Sequence, residues 1–83
     1  MEKSLRRKEY KILLRLLYEK RMATGLKQVE MARKLGVHQS FISKTENGER
    51  RLDLIELADF CNALGTNLVE FTSEFHKEIL RKK

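Results

Sequence analysis

The chain has 83 residues, 18 Lys and Arg against 12 Asp and Glu, and a formal net charge of +6. That length excludes two domains that each bury an adequate core, so residues 1–83 are read as one domain. One cysteine excludes an internal disulfide, and 12-ILLRLL-17, interrupted by Arg15, is too short for a signal peptide or membrane span, so a reducing cytoplasm and no membrane partner are expected.

No proline, repeat or alternating apolar stretch argues for strands, and the fold class expected is all-α. Gly25, Gly36, Gly48 and Gly65 each follow a helical run, where a residue without Cβ can take the left-handed conformation that ends a helix, so five helices are expected. The first runs from about Leu5 to Ala23 with Tyr10, Leu13, Leu14, Leu17 and Arg21 on one face. The second, Gln28 to Leu35, turns Val29, Ala32 and Leu35 or Met31 inward; the third, Gln39 to Asn47, buries little beyond Ile42 and part of Phe41. Asp53 and Glu56 form a capping box for the fourth, whose apolar face is Leu54, Leu57, Ala58, Cys61 and Leu64. Asn67 and Glu70 repeat the device for the fifth, with Leu68, Phe71, Phe75 and Ile79 in one stripe.

Charge is unevenly spread. Lys and Arg run through the chain as far as Arg51, whereas the stretch from Asp53 to Phe75 carries five carboxylates and no basic residue, so the fold should have a basic side and an acidic side. The net positive charge suits nucleic acid or an anionic membrane surface.

Two short helices joined by a tight glycine turn, 28-QVEMARKLGVHQSFISKTEN-47, have the layout of a helix-turn-helix. Ala32 is small enough for the helices to cross closely, Gly36 makes the turn, and Val37 and Ile42 lock the second helix onto the first. Together 26-LKQVEMARKLGVHQSFISK-44, 46-ENGERRL-52 and 63-ALGTNLVEF-71 resemble the phage repressor and Cro family, the xenobiotic-response-element type of helix-turn-helix. The resemblance covers Arg21 to Phe71, with extended first and last helices outside it. It implies a five-helix, lambda-repressor-like domain whose third helix enters the DNA major groove.

By that resemblance His38, Gln39, Ser40 and Lys44 face base edges. Lys27 and Gln28 at the start of the second helix, with Ser43, Asn47, Arg50 and Arg51, are expected at the DNA backbone. Arg21 and Glu46 are expected to form an ion pair between the first and third helices. Three positions depart from the family pattern. Lys27 and His38 stand where Ser or Thr usually caps a helix, a loss worth about 1 kcal/mol each. Thr45 stands where a larger apolar residue is usual.

Other residues invite plainer readings. Cys61 is read as core packing and not as a redox sensor. His38 and His76 have no ligand-spaced companions, so no metal site is expected, and no cofactor or small-molecule ligand is evident. Tyr10, Phe60, Phe71 and Phe75 are core before they are stacking platforms. Arg6, Arg7, Lys8, Lys11 and Arg15 read as a solvated helix face. No phosphate loop, activated nucleophile or paired carboxylates support an enzyme.

The resulting expectation is a DNA-binding transcriptional regulator, a repressor acting on double-stranded DNA with a palindromic operator. The alternatives are an antitoxin or restriction-modification controller with the same fold, or a protein-interaction adaptor that uses the motif as scaffold. One recognition helix reads too few base pairs to be selective, so a homodimer is expected. Leu5, Ile12 and Leu16 on the first helix and Val69 and Leu80 on the fifth are the candidate dimer face.

Overall fold

A computed structural model describes residues 7–81. Among them are five helices and no strand: α1 Lys8–Thr24, α2 Gln28–Leu35, α3 Gln39–Glu46, α4 Leu54–Ala63 and α5 Leu68–Arg81. The start of α1 differs from the expected Leu5: Arg7 already has extended backbone angles, so the helix begins at Lys8. Leu5 and Arg6 lie outside the described residues.

The glycines end helices as their permissive backbone allows. Gly36 has φ +68°, and the N–H groups of Gly36 and Val37 reach back to the carbonyls of Arg33 and Ala32 at 3.2 and 3.0 Å. Gly48 repeats this after α3, where Gly48 and Glu49 donate to Thr45 and Lys44 at 3.1 and 2.8 Å. Both arrangements satisfy carbonyls that would otherwise end the helix unpaired.

The centre of the core is Leu17, Met31, Ala32, Ile42, Phe60, Cys61 and Phe71, all nearly inaccessible. Helices α2 and α3 pack together; α1 lies on α3 and α5, and α4 joins α2 to α5. Burial pushes the Cys61 thiol up from its ordinary value, as a core cysteine should be. Thr45 is also fully buried, and its hydroxyl donates to the Phe41 carbonyl at 2.7 Å, which removes the cost of a polar group there.

Two inward assignments are corrected. Val29 is 46% exposed, because Met31, Ala32 and Leu35 define the buried arc of α2 and Val29 projects to one side of it. Leu54 is 63% exposed: its period is right, but it is the first residue of α4 and protrudes beyond the buried turns at Leu57, Phe60 and Cys61.

Charged side chains fasten α1 to α5. Lys20 meets Glu74 at 2.8 Å, and Arg15 meets Glu78 at 2.6 Å. Arg81, with Arg15, holds the Glu78 carboxyl at about 2. The Tyr10 hydroxyl accepts the Leu52 N–H at 3.0 Å, tying the loop after α3 to the first helix.

Candidate nucleic-acid interface

Four residues of α1, α2 and α3 form one hydrogen-bonded chain. Arg21 gives Nε and Nη2 to the two carboxylate oxygens of Glu46 at 2.6 and 2.9 Å, and Nη1 to the Leu26 carbonyl at 2.8 Å. Both side chains of this expected pair are 8% exposed, and the hydrogen-bonded carboxylate raises the Arg21 pKa. Glu46 also accepts Nε2 of Gln28 at 3.0 Å. Gln28 in turn offers Oε1 to Nε2 of Gln39 at 3.4 Å.

This sequence of partners fixes which way the amides face. A carboxylate only accepts, so Gln28 must turn its NH₂ toward Glu46 and its oxygen toward Gln39. Gln39 therefore spends one N–H on Gln28 and keeps Oε1 and its other N–H for a ligand. That pair of groups is what an adenine edge requires.

At the other end of the recognition residues, His38 caps α3. Its Nδ1 accepts the Ser40 N–H at 3.1 Å and lies 3.0 Å from the Ser40 hydroxyl, so the ring proton must sit on Nε2. The expected loss of a cap at His38 is thus corrected: the imidazole nitrogen replaces the missing oxygen. At Lys27 the side chain has no lone pair to offer, and only the reciprocal bond forms, from the Lys27 N–H to Glu30 at 2.8 Å.

Ser40, Ser43, Lys44 and Asn47 lie along the arc of α3 opposite buried Ile42 and Thr45, with His38 and Gln39 at its leading end. Lys44 is exposed, and its ammonium makes no bond to another described residue. Lys27 is exposed at the start of α2, beside half-buried Gln28. Asn47 reaches Glu49 at 3.4 Å, and Arg51 is exposed on the loop that follows.

Arg50 is placed differently from its expected backbone-contact role. Its guanidinium meets both oxygens of Glu56 at 3.3 and 3.2 Å and lies 4.1 Å from the centroid of the Phe41 ring. It joins α3 to α4 before it can meet a phosphate. The sequence does carry a signal for this, an Arg six residues before the Glu of a capping box.

The proposed outer face is also redrawn. Leu16 belongs to the core, and half-buried Ile12 packs against it; Val69 and Leu80 are 79% and 55% exposed. No group of His, Cys, Asp and Glu suited to a metal occurs among the described residues, nor any helix long and apolar enough to cross a membrane.

Comparison with known proteins identifies the fold. A helix-turn-helix family model matches residues 17–71. An XRE-family like protein from Pseudomonas syringae pv. tomato superposes with a TM-score of 0.81 at 50% identity, covering 84% of this chain and 85% of that one. A point mutant of the restriction-modification controller protein C.Esp1396I gives 0.81 at 25% identity, over 93% and 98%. The tetramer of that controller in complex with its natural 35 base-pair operator gives 0.79 at 24% identity, over 89% and 97%. No curated protein matches the chain. The chain belongs to the XRE family of helix-turn-helix proteins, which are DNA-binding transcriptional regulators.

Proposed function

We propose that this regulator is a repressor that lays α3 in the major groove of a palindromic operator, with Gln39 and Lys44 as its main base readers and His38 and Ser40 beside them. The observation that carries this reading is the oriented amide of Gln39, held by Gln28 and Glu46 with a donor and an acceptor left over. Lys27, Gln28, Ser43, Asn47 and Arg51 flank it as phosphate contacts, and Arg50 joins them only by leaving Glu56. Such a protein works in the cytoplasm, where the DNA is.

The operator is read by a second copy of the chain as well. Val69 and Leu80, eleven residues apart, fall within about 20° on the helical wheel and form one exposed stripe of α5 with Ser73 and His76. To read a palindrome, a dimer through that stripe needs its two recognition helices about 34 Å apart, on successive major grooves. Selection of bound fragments from a random DNA pool tests the whole reading: a palindrome with half-sites one turn apart is expected, and recovery of unrelated fragments overturns it. Likeness to the operator-bound controller favours a second reading, control of a restriction-modification locus, which uses the same contacts.

A further inference from the structure

The recognition helix is only two turns long, and its two flanks are held by different means. Toward α1 and α2 the bonds of Glu46 and Gln39 hold it. On the other flank stands Phe41, about 200° around the helix from Gln39, with the outward arc between them. Its half-buried ring meets Phe60 of α4, centroids 6.0 Å apart and tilted by 47°, and the Arg50 guanidinium lies over it, 4.1 Å from the centroid.

Arg50 is itself gripped. Its fork meets both oxygens of Glu56 at 3.3 and 3.2 Å, and Oε1 of that carboxylate also accepts the Asp53 N–H at 3.0 Å as part of the α4 cap. A planar cation with paired donors can stack on a ring and grip a carboxylate through two bonds at once, which an ammonium cannot. The guanidinium thus ties a ring of the recognition helix to the first turn of α4. Lys44 leaves α3 only about 60° from Phe41, whereas Gln39 is fixed separately by Gln28. A roll of α3 by about 10° would move a side-chain tip, about 6 Å from the axis, by roughly 1 Å, enough to spoil a hydrogen bond to a base edge.

We propose that Arg50 is a positioning residue for base reading: paired with Glu56 it holds Phe41, and through Phe41 the roll of α3 and the placement of Lys44, while staying off the DNA itself. The inference rests on the reading of DNA by α3 and adds what sets the angle of that helix.

The test compares affinity for the palindrome recovered from the random pool with affinity for random duplex, at fixed salt and at a temperature where circular dichroism shows every variant folded. Arg50→Lys, which keeps the charge and loses the fork, is expected to lower this ratio about fivefold, and Glu56→Gln, which keeps an acceptor for the cap and releases the arginine, to do the same. In a Phe41→Leu background, Arg50→Lys should lower it little further. The ring current of Phe41 gives a readout without mutation: the Arg50 side-chain protons should keep their upfield shifts when the palindrome is added. Loss of those shifts on binding, or a Glu56→Gln variant that binds both DNAs more tightly with an unchanged ratio and a salt slope steeper by about one, would show an arginine released to phosphate and overturn the proposal. A ratio lowered by Gln39→Ala and untouched by Arg50→Lys overturns this inference alone; a ratio that neither variant lowers overturns the reading by α3 with it.

Discussion

Gln28 and Gln39 meet amide to amide at 3.4 Å, and the bond has a direction because Glu46 holds the far end of Gln28. Loss of either glutamine should therefore cost the same discrimination. Gln39→Ala and Gln28→Leu are each expected to lower preference for the operator over random DNA by about 1–3 kcal/mol, and the double variant by little more than one alone. Competition binding at fixed salt measures this; additive losses would show that the two amides act separately.

Lys27→Ala and Arg51→Ala should weaken operator and random DNA alike. Removing one cation from a phosphate lowers the slope of log affinity against log salt by about one. Lys44→Ala should change the discrimination ratio instead. A uniform weakening in all three variants would show that Lys44 meets phosphate and not a base.

The Arg21–Glu46 pair is nearly inaccessible, so removing one partner strands the other. Glu46→Ala is expected to cost about 3 kcal/mol or more and to lower Tm by roughly 10 °C or more, since it also frees Gln28. Thermal unfolding at neutral pH is the measurement. An unchanged Tm would contradict the burial of this pair.

Capping by an imidazole makes His38 a stability residue as well as a candidate base contact. His38→Ala should cost about 1 kcal/mol, and His38→Ser, which restores a capping oxygen, much less. Urea unfolding of both variants separates the cap from any effect on DNA. Equal losses would mean that the ring packs and does not cap.

Acid should loosen the α1–α5 seam. Glu78 is held at about 2 in the fold by Arg81 and Arg15, below its ordinary 4.5, so its stabilisation is complete above pH 4.5 and fades as pH falls toward 2. Glu78→Gln is expected to flatten the stability curve in that window. A slope equal to that of the parent protein would show that the pairing does not persist in solution.

Much of this architecture is legible in the sequence because it is local. Glycine stops, the Asp53–Glu56 box and the 3.6-residue spacing of Met31, Ala32 and Leu35 are properties of short segments. Structure and expectation part where distant elements decide. Leu54 has the right period but protrudes, Leu16 is covered, and Arg50 is engaged by Phe41 and Glu56. His38 differs for another reason: capping is usually equated with oxygen, whereas an imidazole nitrogen accepts equally well.

Cys61 has a practical consequence. It lies at the centre of the core with no exposed surface and a raised thiol pKa, so reagents that attack thiolates should pass it by in the folded state. A cysteine introduced on the surface, at Lys77 for example, would then be the sole reactive position without any background substitution. Fluorophores or spin labels placed there could report the distance between two copies on DNA, and slow labelling of Cys61 itself would clock the global opening of the fold.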